Sequence, residues 1–173
     1  MQIARLEGHV GAVRSVAFLS DGQHIVSGSD DRTVRVWNTR GGVQTAKLEG
    51  HTDAICSVAF SFDKQRIVSG SDDLSARVWN VQDGTQTARL EGHTDAVRSV
   101  TFSPDGRQIA SGSSDHTVRV WCARDGVQTA KLEGHSRFVR SVTFSPDGHH
   151  IISGSDDRVV HVWNALDLSL IHI

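Results

Sequence analysis

The sequence has 173 residues, of which 18 are basic and 20 acidic, for a formal net charge of −2. This length suits one domain with a sizeable core, and the balanced charge gives no reason to expect binding to nucleic acid or to a membrane surface. The two cysteines, Cys56 and Cys122, fit neither a disulfide framework nor a metal-ligand pattern, so we expect a reducing compartment, cytoplasmic or nuclear.

One stretch of chain occurs four times, and its clearest copy spans residues 92–121. It opens with a Gly-His pair, closes with a Trp, and contains short apolar runs separated by turn signals. The copies follow one another at steps of 42 residues without insertion, at His9, His51, His93, His135 and at Trp37, Trp79, Trp121, Trp163. A fixed period of this length with short strand-like runs is typical of a β-propeller array.

Within each copy, three strands are predicted in chain order. The first is an apolar run that we expect to be buried on both faces, near 12–18, 54–60, 96–102 and 138–144. The second strand lies near 23–28, 65–70, 107–112 and 149–154, and the third ends at each Trp. A turn with Gly at the position of positive φ joins the first two strands. Because Lys64 replaces that Gly in the second copy, we expect its hairpin to be strained or turned differently.

The pattern of Gly-His, Ser-Gly-Ser, Asp and a final Thr-Val-Arg-Val-Trp resembles the WD40 repeat family over nearly the whole chain. The family usually has Asp after the Trp, where this chain has Asn38, Asn80, Cys122 and Asn164. The resemblance implies an all-β fold of four four-stranded antiparallel blades. Because members of this family most often have about seven blades, we expect an open arc, a partial propeller, rather than a closed ring.

The repeats also predict the limits of the array, which we place at residues 1–167. The four blades are expected near 8–48, 50–90, 92–132 and 134–167. Residues 2–6 match 44–48 in register and are predicted to be an orphan outer strand. The last residues, 168–173, match no earlier repeat. One hypothesis is that they are read-through of a sequencing adapter on a fragment of a longer protein, and the alternative is a natural divergent final strand.

Each repeat carries one His, one Ser, one Asp and one Trp at fixed spacing. These are His9, Ser27, Asp31, Trp37, His51, Ser69, Asp73, Trp79, His93, Ser111, Asp115, Trp121, His135, Ser153, Asp157 and Trp163. A hydrolase would need one exposed nucleophile beside an oxyanion hole, whereas four identical copies indicate a structural role. The resemblance implies a hydrogen-bonded network from Trp to Ser to His to Asp. We therefore predict no catalytic residues, no cofactor and no metal.

The resemblance further implies that three positions in each blade face the partner-binding surface of a propeller. They carry Ala12, Arg14, Asp30, Ala54, Cys56, Asp72, Ala96, Arg98, Ser114, Phe138, Arg140 and Asp156. The first and fourth blades pair Arg with Asp locally, whereas Asp72 lacks a local Arg and Arg98 lacks a local Asp. Phe138 and the adjacent Arg137 form a bulky apolar and basic pair of the kind that binding hot spots use. The alternative is a generic solvated rim.

Three functional interpretations follow. The favoured one is a non-catalytic scaffold that binds a protein or peptide, because near-identical tandem repeats resemble the arrays attached to signalling proteins. The second is a purely structural segment that completes a larger propeller with further blades of a parent chain or with a second copy. The third is an enzyme, but no position on the predicted binding surface offers paired carboxylates or a nucleophile–base pair. We expect no nucleic-acid or membrane partner.

Overall fold

The fold is built from strands alone in the computed structural model, which describes residues 4–166. Fifteen strands form four separate antiparallel sheets in this range, and the strands within each sheet follow chain order. The expected all-β architecture of a partial propeller is therefore confirmed. The described part of the fourth sheet has three strands, and the position of its expected fourth strand lies outside the described residues.

The strand bounds repeat closely from sheet to sheet. The first sheet contains β1 (Val13–Phe18), β2 (His24–Ser29), β3 (Val34–Asn38) and β4 (Val43–Leu48). The second contains β5 (Ile55–Phe60), β6 (Arg66–Ser71), β7 (Ala76–Asn80) and β8 (Gln86–Leu90). The third contains β9 (Val97–Phe102), β10 (Gln108–Ser113), β11 (Val118–Cys122) and β12 (Gln128–Leu132), and the fourth β13 (Val139–Phe144), β14 (His150–Ser155) and β15 (Val160–Asn164).

The four sheets are arranged as an open arc around their first strands. Strands β1, β5, β9 and β13 lie side by side in that order, while the first and last of them have no comparable contact with each other. The second strand of each sheet also contacts the first strand of the next sheet. Among the described residues, each sheet thus packs mainly on its sequence neighbours, which is the arrangement of a quasi-one-dimensional repeat protein.

The hydrophobic core lies between sheets rather than within any one of them. Between the first two sheets, Val26 and Val34 of one face pack with Ile55, Val58 and Trp79 of the other. The same kinds of residues form a second cluster between sheets two and three and a third between sheets three and four. Burial of this apolar surface is the main favourable term, so the repeats depend on stacking for their stability.

The hairpin that contains Lys64 keeps the same turn as the others. Lys64 has φ of 65°, close to the 67°, 70° and 73° of Gly22, Gly106 and Gly148 at the equivalent positions. A side chain in this left-handed region costs roughly 1–2 kcal/mol relative to the ordinary helical region. Of the two alternatives from the sequence, strain rather than a different turn is therefore observed.

The predicted orphan outer strand is not formed in its described part. Residues 4–6 belong to no strand, although Leu6 and the carbonyl of Arg5 lie beside Gly42, in the turn between β3 and β4. Leu48 and Leu90 pack in the same way beside Gly84 and Gly126 of the following sheets. Residues 4–6 therefore pack where an outer strand would lie, but they do not form a strand. Residues 2 and 3 and the divergent segment 168–173 lie outside the described residues.

Candidate functional site

The conserved spacing of His, Ser, Asp and Trp brings four side chains together in every repeat. In the second repeat, His51 precedes β5, Ser69 lies on β6, Asp73 lies in the turn after β6, and Trp79 lies on β7. His51 Nδ1 lies 2.7 Å from Asp73 Oδ2, and His51 Nε2 lies 2.8 Å from Ser69 Oγ. The Trp79 indole N–H donates to Ser69 Oγ over 2.9 Å. The other three repeats have the same bonds at 2.7–2.8 Å.

The protons of this network can be assigned from the donors and acceptors alone. An ionised carboxylate only accepts, so the Nδ1 of His51 carries a proton and donates to Asp73. The Nε2 of the neutral ring then accepts from the Ser69 hydroxyl, whose oxygen accepts from the Trp79 indole. Asp73 also accepts from the backbone N–H of Thr52 and Ser75. Every polar group of the set is satisfied, as burial requires.

The acidities of these groups follow from the same contacts. Burial alone raises the pKa of Asp73, but hydrogen bonds from His51 and Ser75 outweigh it and hold that pKa well below its ordinary value. The equivalent bonds from His135, Val159 and Ser136 lower the pKa of Asp157 to about 2. Burial lowers the pKa of His51, against the opposing pull of Asp73. The carboxylates are therefore charged and the His51 ring is neutral at pH 7.

The serine of each set is not placed to attack a substrate. Ser69, Ser111 and Ser153 have no solvent exposure, and Ser27 has almost none. Each hydroxyl donates to a histidine and accepts from an indole N–H, and its burial leaves no access for a reacting carbonyl. The arrangement ties a loop, two strands and a turn of one repeat together, and it offers no nucleophile to solvent.

An arginine next to the network was missed at the level of sequence. Arg77 on β7 extends to Gln86 on β8, with 2.6 Å between Nη1 and Oε1, and its guanidinium passes over Gly50. A Cβ at Gly50 would lie only 2.7 Å from Arg77 Nη1, and a Cβ at Gly8 or Gly92 would lie similarly close to the matching arginine of the first or third repeat. In the fourth repeat His161 replaces this arginine, and its ring lies 4.4 Å from the ring of His135. The regular recurrence of this glycine before the His was the signal in the sequence that could have revealed the arginine.

The three predicted surface positions of each blade are neighbours in space. In every sheet the backbone N–H of the third position donates to the carbonyl of the first, as Asp30 does to Ala12 and Asp156 to Phe138. The local ion pairs also form: Arg14 contacts Asp30, and Arg140 holds Asp156 through Nη2–Oδ2 at 2.6 Å and Nε–Oδ1 at 3.0 Å. We call this surface the interaction face.

Asp72 and Arg98 each lack a local partner in the sequence, and in the structure they pair with each other across sheets. Arg98 Nη1 lies 2.8 Å from Asp72 Oδ1, and Arg98 Nε donates to Ser114 Oγ over 2.8 Å. Cys56 also donates to Asp72, over 3.1 Å from its sulfur. Burial, reinforced by Asp72, raises the pKa of the Cys56 thiol to about 11. At neutral pH this thiol is protonated, and Cys56 is a hydrogen-bond donor rather than a nucleophile.

The fourth sheet adds an aromatic cluster at the interaction face. The Arg140 guanidinium lies 5.3 Å from the centroid of the Phe138 ring. The centroid of the His116 ring, in the third sheet, lies 5.8 Å from the centroid of the same Phe138 ring. Phe138 and His116 line a shallow depression of about 210 Å³ together with Ser136, Arg137 and Asp156. Sequence reasoning missed His116, because it lies in the turn between β10 and β11 and reaches Phe138 only when the sheets stack.

Two further findings concern the described part of the chain. Residues 4–166 contain no group of three or more His, Cys, Asp or Glu side chains that is arranged to hold a metal ion. Within the same range, no helix has the length and apolar character needed to cross a membrane.

Stacked four-stranded sheets joined in chain order define the class of β-propeller repeats. The sequence matches the family model of the WD domain, G-beta repeat, at residues 1–38, 42–80, 84–122 and 126–164. These matches cover most of the chain, which therefore belongs to the WD40 repeat family. The match at 42–80 contains β4 to β7, so one repeat supplies the outer strand of one sheet and three strands of the next.

Similarity to a curated protein is confined to one repeat length. Vegetative incompatibility protein HET-E-1 of Podospora anserina is 57% identical over 37 residues. The shared segment is 21% of this chain and 3% of that protein. The chain thus spans a very small part of the length of this relative.

Proposed function

We propose that this chain is a non-catalytic scaffold that binds a protein or peptide on its interaction face, and that it serves as the recognition segment of a larger signalling protein. WD40 repeats generally mediate protein–protein interaction. The similarity to a vegetative incompatibility protein supports a recognition role. The depression lined by Phe138 and Arg137, with Arg140 stacked on the Phe138 ring, is the observation that carries the proposal.

The chemistry of the depression suggests the kind of peptide that fits it. Phe138 is exposed and offers an apolar surface, and Arg137 places a positive charge beside it in the depression. A peptide that places an apolar side chain on the Phe138 ring and a carboxylate beside Arg137 would use both features. Arg140 is held by Asp156 and stacked on Phe138, so it is ordered before binding and loses little side-chain entropy.

The proposal excludes catalysis by the Ser-His-Asp sets on a physical ground. Their serines are buried, and their hydroxyls are engaged on both sides by histidine and tryptophan. We further propose that the chain acts in the cytoplasm or the nucleus, since Cys56 and Cys122 are free thiols, and that it binds neither nucleic acid nor a membrane.

A random peptide library displayed on phage tests the proposal. Peptides enriched on the wild-type chain are synthesised, and their affinities are measured by calorimetry for the wild type and for Phe138→Ala, Arg140→Ala and Arg14→Ala. Arg14 occupies the matched position in the first sheet but has no aromatic neighbour on this face, so Arg14→Ala is the control. We expect Phe138→Ala and Arg140→Ala each to weaken binding by about tenfold or more, and Arg14→Ala to have little effect. Peptides that bind Phe138→Ala as tightly as the wild type would contradict the proposal.

The second candidate function, completion of a larger propeller, is favoured by a different observation. The outer faces of the first and last sheets are apolar and exposed, with Val16 at 67% and Val160 at 65% of full accessibility. An exposed apolar face of this kind marks a site of association. Further blades of a longer chain or a second copy would cover it.

A further inference from the structure

The two end faces of the arc are the two halves of one repeated interface. Inside the arc, a face that bears Val58 packs on a preceding face that bears Gly28, and Val100 and Val142 pack in the same way on Gly70 and Gly112. The first sheet presents Val16 at the position of Val58, Val100 and Val142. The fourth sheet presents Gly154 at the position of the three glycines.

The exposure of these residues differs only because the neighbouring sheet is missing. Val16 is 67% exposed, whereas Val58, Val100 and Val142 are 4–5% exposed. A Cβ at Gly28, Gly70 or Gly112 would lie 2.5–2.8 Å from a side chain of the next sheet. Among the described residues, nothing lies within 4 Å of a Cβ built at Gly154. Each end face therefore has the shape of one side of an internal interface.

Polar contacts of the internal interfaces also have counterparts at the ends. At each internal interface the backbone N–H of the valine donates to a serine of the preceding sheet over 3.1 Å, as Val58 does to Ser15 and Val142 to Ser99. The next serine in this series is Ser141, which is exposed on the fourth sheet. The same register would bring the backbone N–H of Val16 to Ser141 Oγ.

The two ends carry opposite charges in the same register, with Arg14 also paired to Asp30 and Asp156 to Arg140 within their own sheets. The cross-sheet ion pair joins Asp72 of the second sheet to Arg98 of the third. The fourth sheet has Asp156 at the position of Asp72, and the first sheet has Arg14 at the position of Arg98. Of the internal interfaces, only that between the second and third sheets has both charges, because Cys56 and Ser114 interrupt the pattern at the others.

We propose that a second copy of this chain docks head to tail on the arc, with the Val16 face of one copy on the Gly154 face of the other. A head-to-tail contact closes into a ring when its rotation allows, and two copies then form two equal interfaces. Two four-sheet arcs make eight sheets, which is within the range of about four to eight blades found in propellers. This inference does not depend on peptide binding at the interaction face.

Sedimentation of the purified 173-residue chain tests the inference. We expect the wild type to sediment with twice the mass of one chain. Val16→Asp and Gly154→Val should each sediment as a single chain, because each spoils one half of the interface. Val127→Asp is the control, since Val127 is an exposed valine in the turn between β11 and β12, away from both end faces, and this variant should keep the double mass. Circular dichroism checks that the variants retain the strand signal.

A mixing experiment distinguishes head-to-tail docking from other dimers. The Val16→Asp chain retains an intact Gly154 face, and the Gly154→Val chain retains an intact Val16 face. An equimolar mixture should therefore form a heterodimer through one wild-type interface, at a concentration where neither variant associates alone. A wild-type chain that remains a monomer at every concentration would overturn the inference, because something other than a second copy would then cover the faces. Full dimerisation of either variant alone, or no heterodimer in the mixture, would overturn it as well.

Discussion

The middle sheets and the end sheets of this protein have nearly the same sequence and very different surroundings. Val100 lies in a core between two sheets, whereas Val16, at the same position of the first repeat, faces solvent. The hydrogen bonds of the His-Ser-Asp-Trp network, in contrast, have the same lengths in the first repeat and in the third. Contacts within a sheet are therefore independent of position along the arc, and contacts between sheets are not.

The largest effect is expected from breaking a contact within a sheet. His93→Ala removes the partner of Asp115 and of Ser111, and leaving a buried polar group unsatisfied costs about 1–3 kcal/mol for each. His9→Ala breaks the same bonds in the end sheet and should cost about as much. Midpoints of unfolding in urea measure both variants. Equal midpoints for the wild type and His93→Ala would contradict a structural role of the network.

Substitutions at two matched glycines test the contacts between sheets. Gly112→Val forces a side chain against Val139 of the fourth sheet, and such overpacking costs about 1–3 kcal/mol. Gly154→Val makes the same change where nothing of the described chain lies within 4 Å, so the free energy of unfolding of the monomer should hardly change. The comparison is made by urea unfolding at low protein concentration. If both variants lose equal stability, the end face is not open in solution.

Acidification should weaken the network of His51 first and the network carboxylates at lower pH. The folded-state pKa of His51 lies below that of the unfolded chain, so its contribution is fully present above about pH 6.5 and is lost as the pH falls below that value. The pKa of Asp157 is about 2 in place of 3.8, so its contribution is lost as the pH falls from about 4 towards 2. Both groups therefore lower the stability as the pH falls. The urea midpoint should therefore decrease from pH 7 to pH 5 and again below pH 4, and a midpoint that rises on acidification would refute the assignment of charges.

The smallest effect is expected in the hairpin turns. Lys64→Gly relieves a left-handed lysine but adds freedom to the unfolded chain, and we expect a net gain of up to about 1 kcal/mol. The reverse change, Gly22→Lys, is the matched control in the first sheet, where nothing lies within 4 Å of the added Cβ. It should lose a similar amount. Thermal unfolding measures both, and a destabilised Lys64→Gly would show that the lysine makes a compensating contact.

Much of the candidate site could be located from the sequence, but not its pairings. The resemblance to the family, carried over through the repeat spacing, placed the surface positions, including Arg98, Asp72 and Phe138, on one face of the array. That Arg98 pairs with Asp72 of the preceding sheet, and that His116 lies beside Phe138, could not be inferred, since the partners belong to different repeats. The contact of Arg98 with Cys56 has the same origin: burial and Asp72 of its own sheet raise the pKa of Cys56, and Arg98 of the neighbouring sheet opposes that rise.

The sequence by itself determined the period, the strands, the turns and the members of the buried network, because each depends on alternation and spacing within one repeat. It also predicted that the array would be an open arc, from the number of repeats. The absence of a strand at residues 4–6 was decided by the tertiary structure. A strand needs a hydrogen-bonded neighbour, and whether one is present depends on the whole arrangement of sheets rather than on the segment itself.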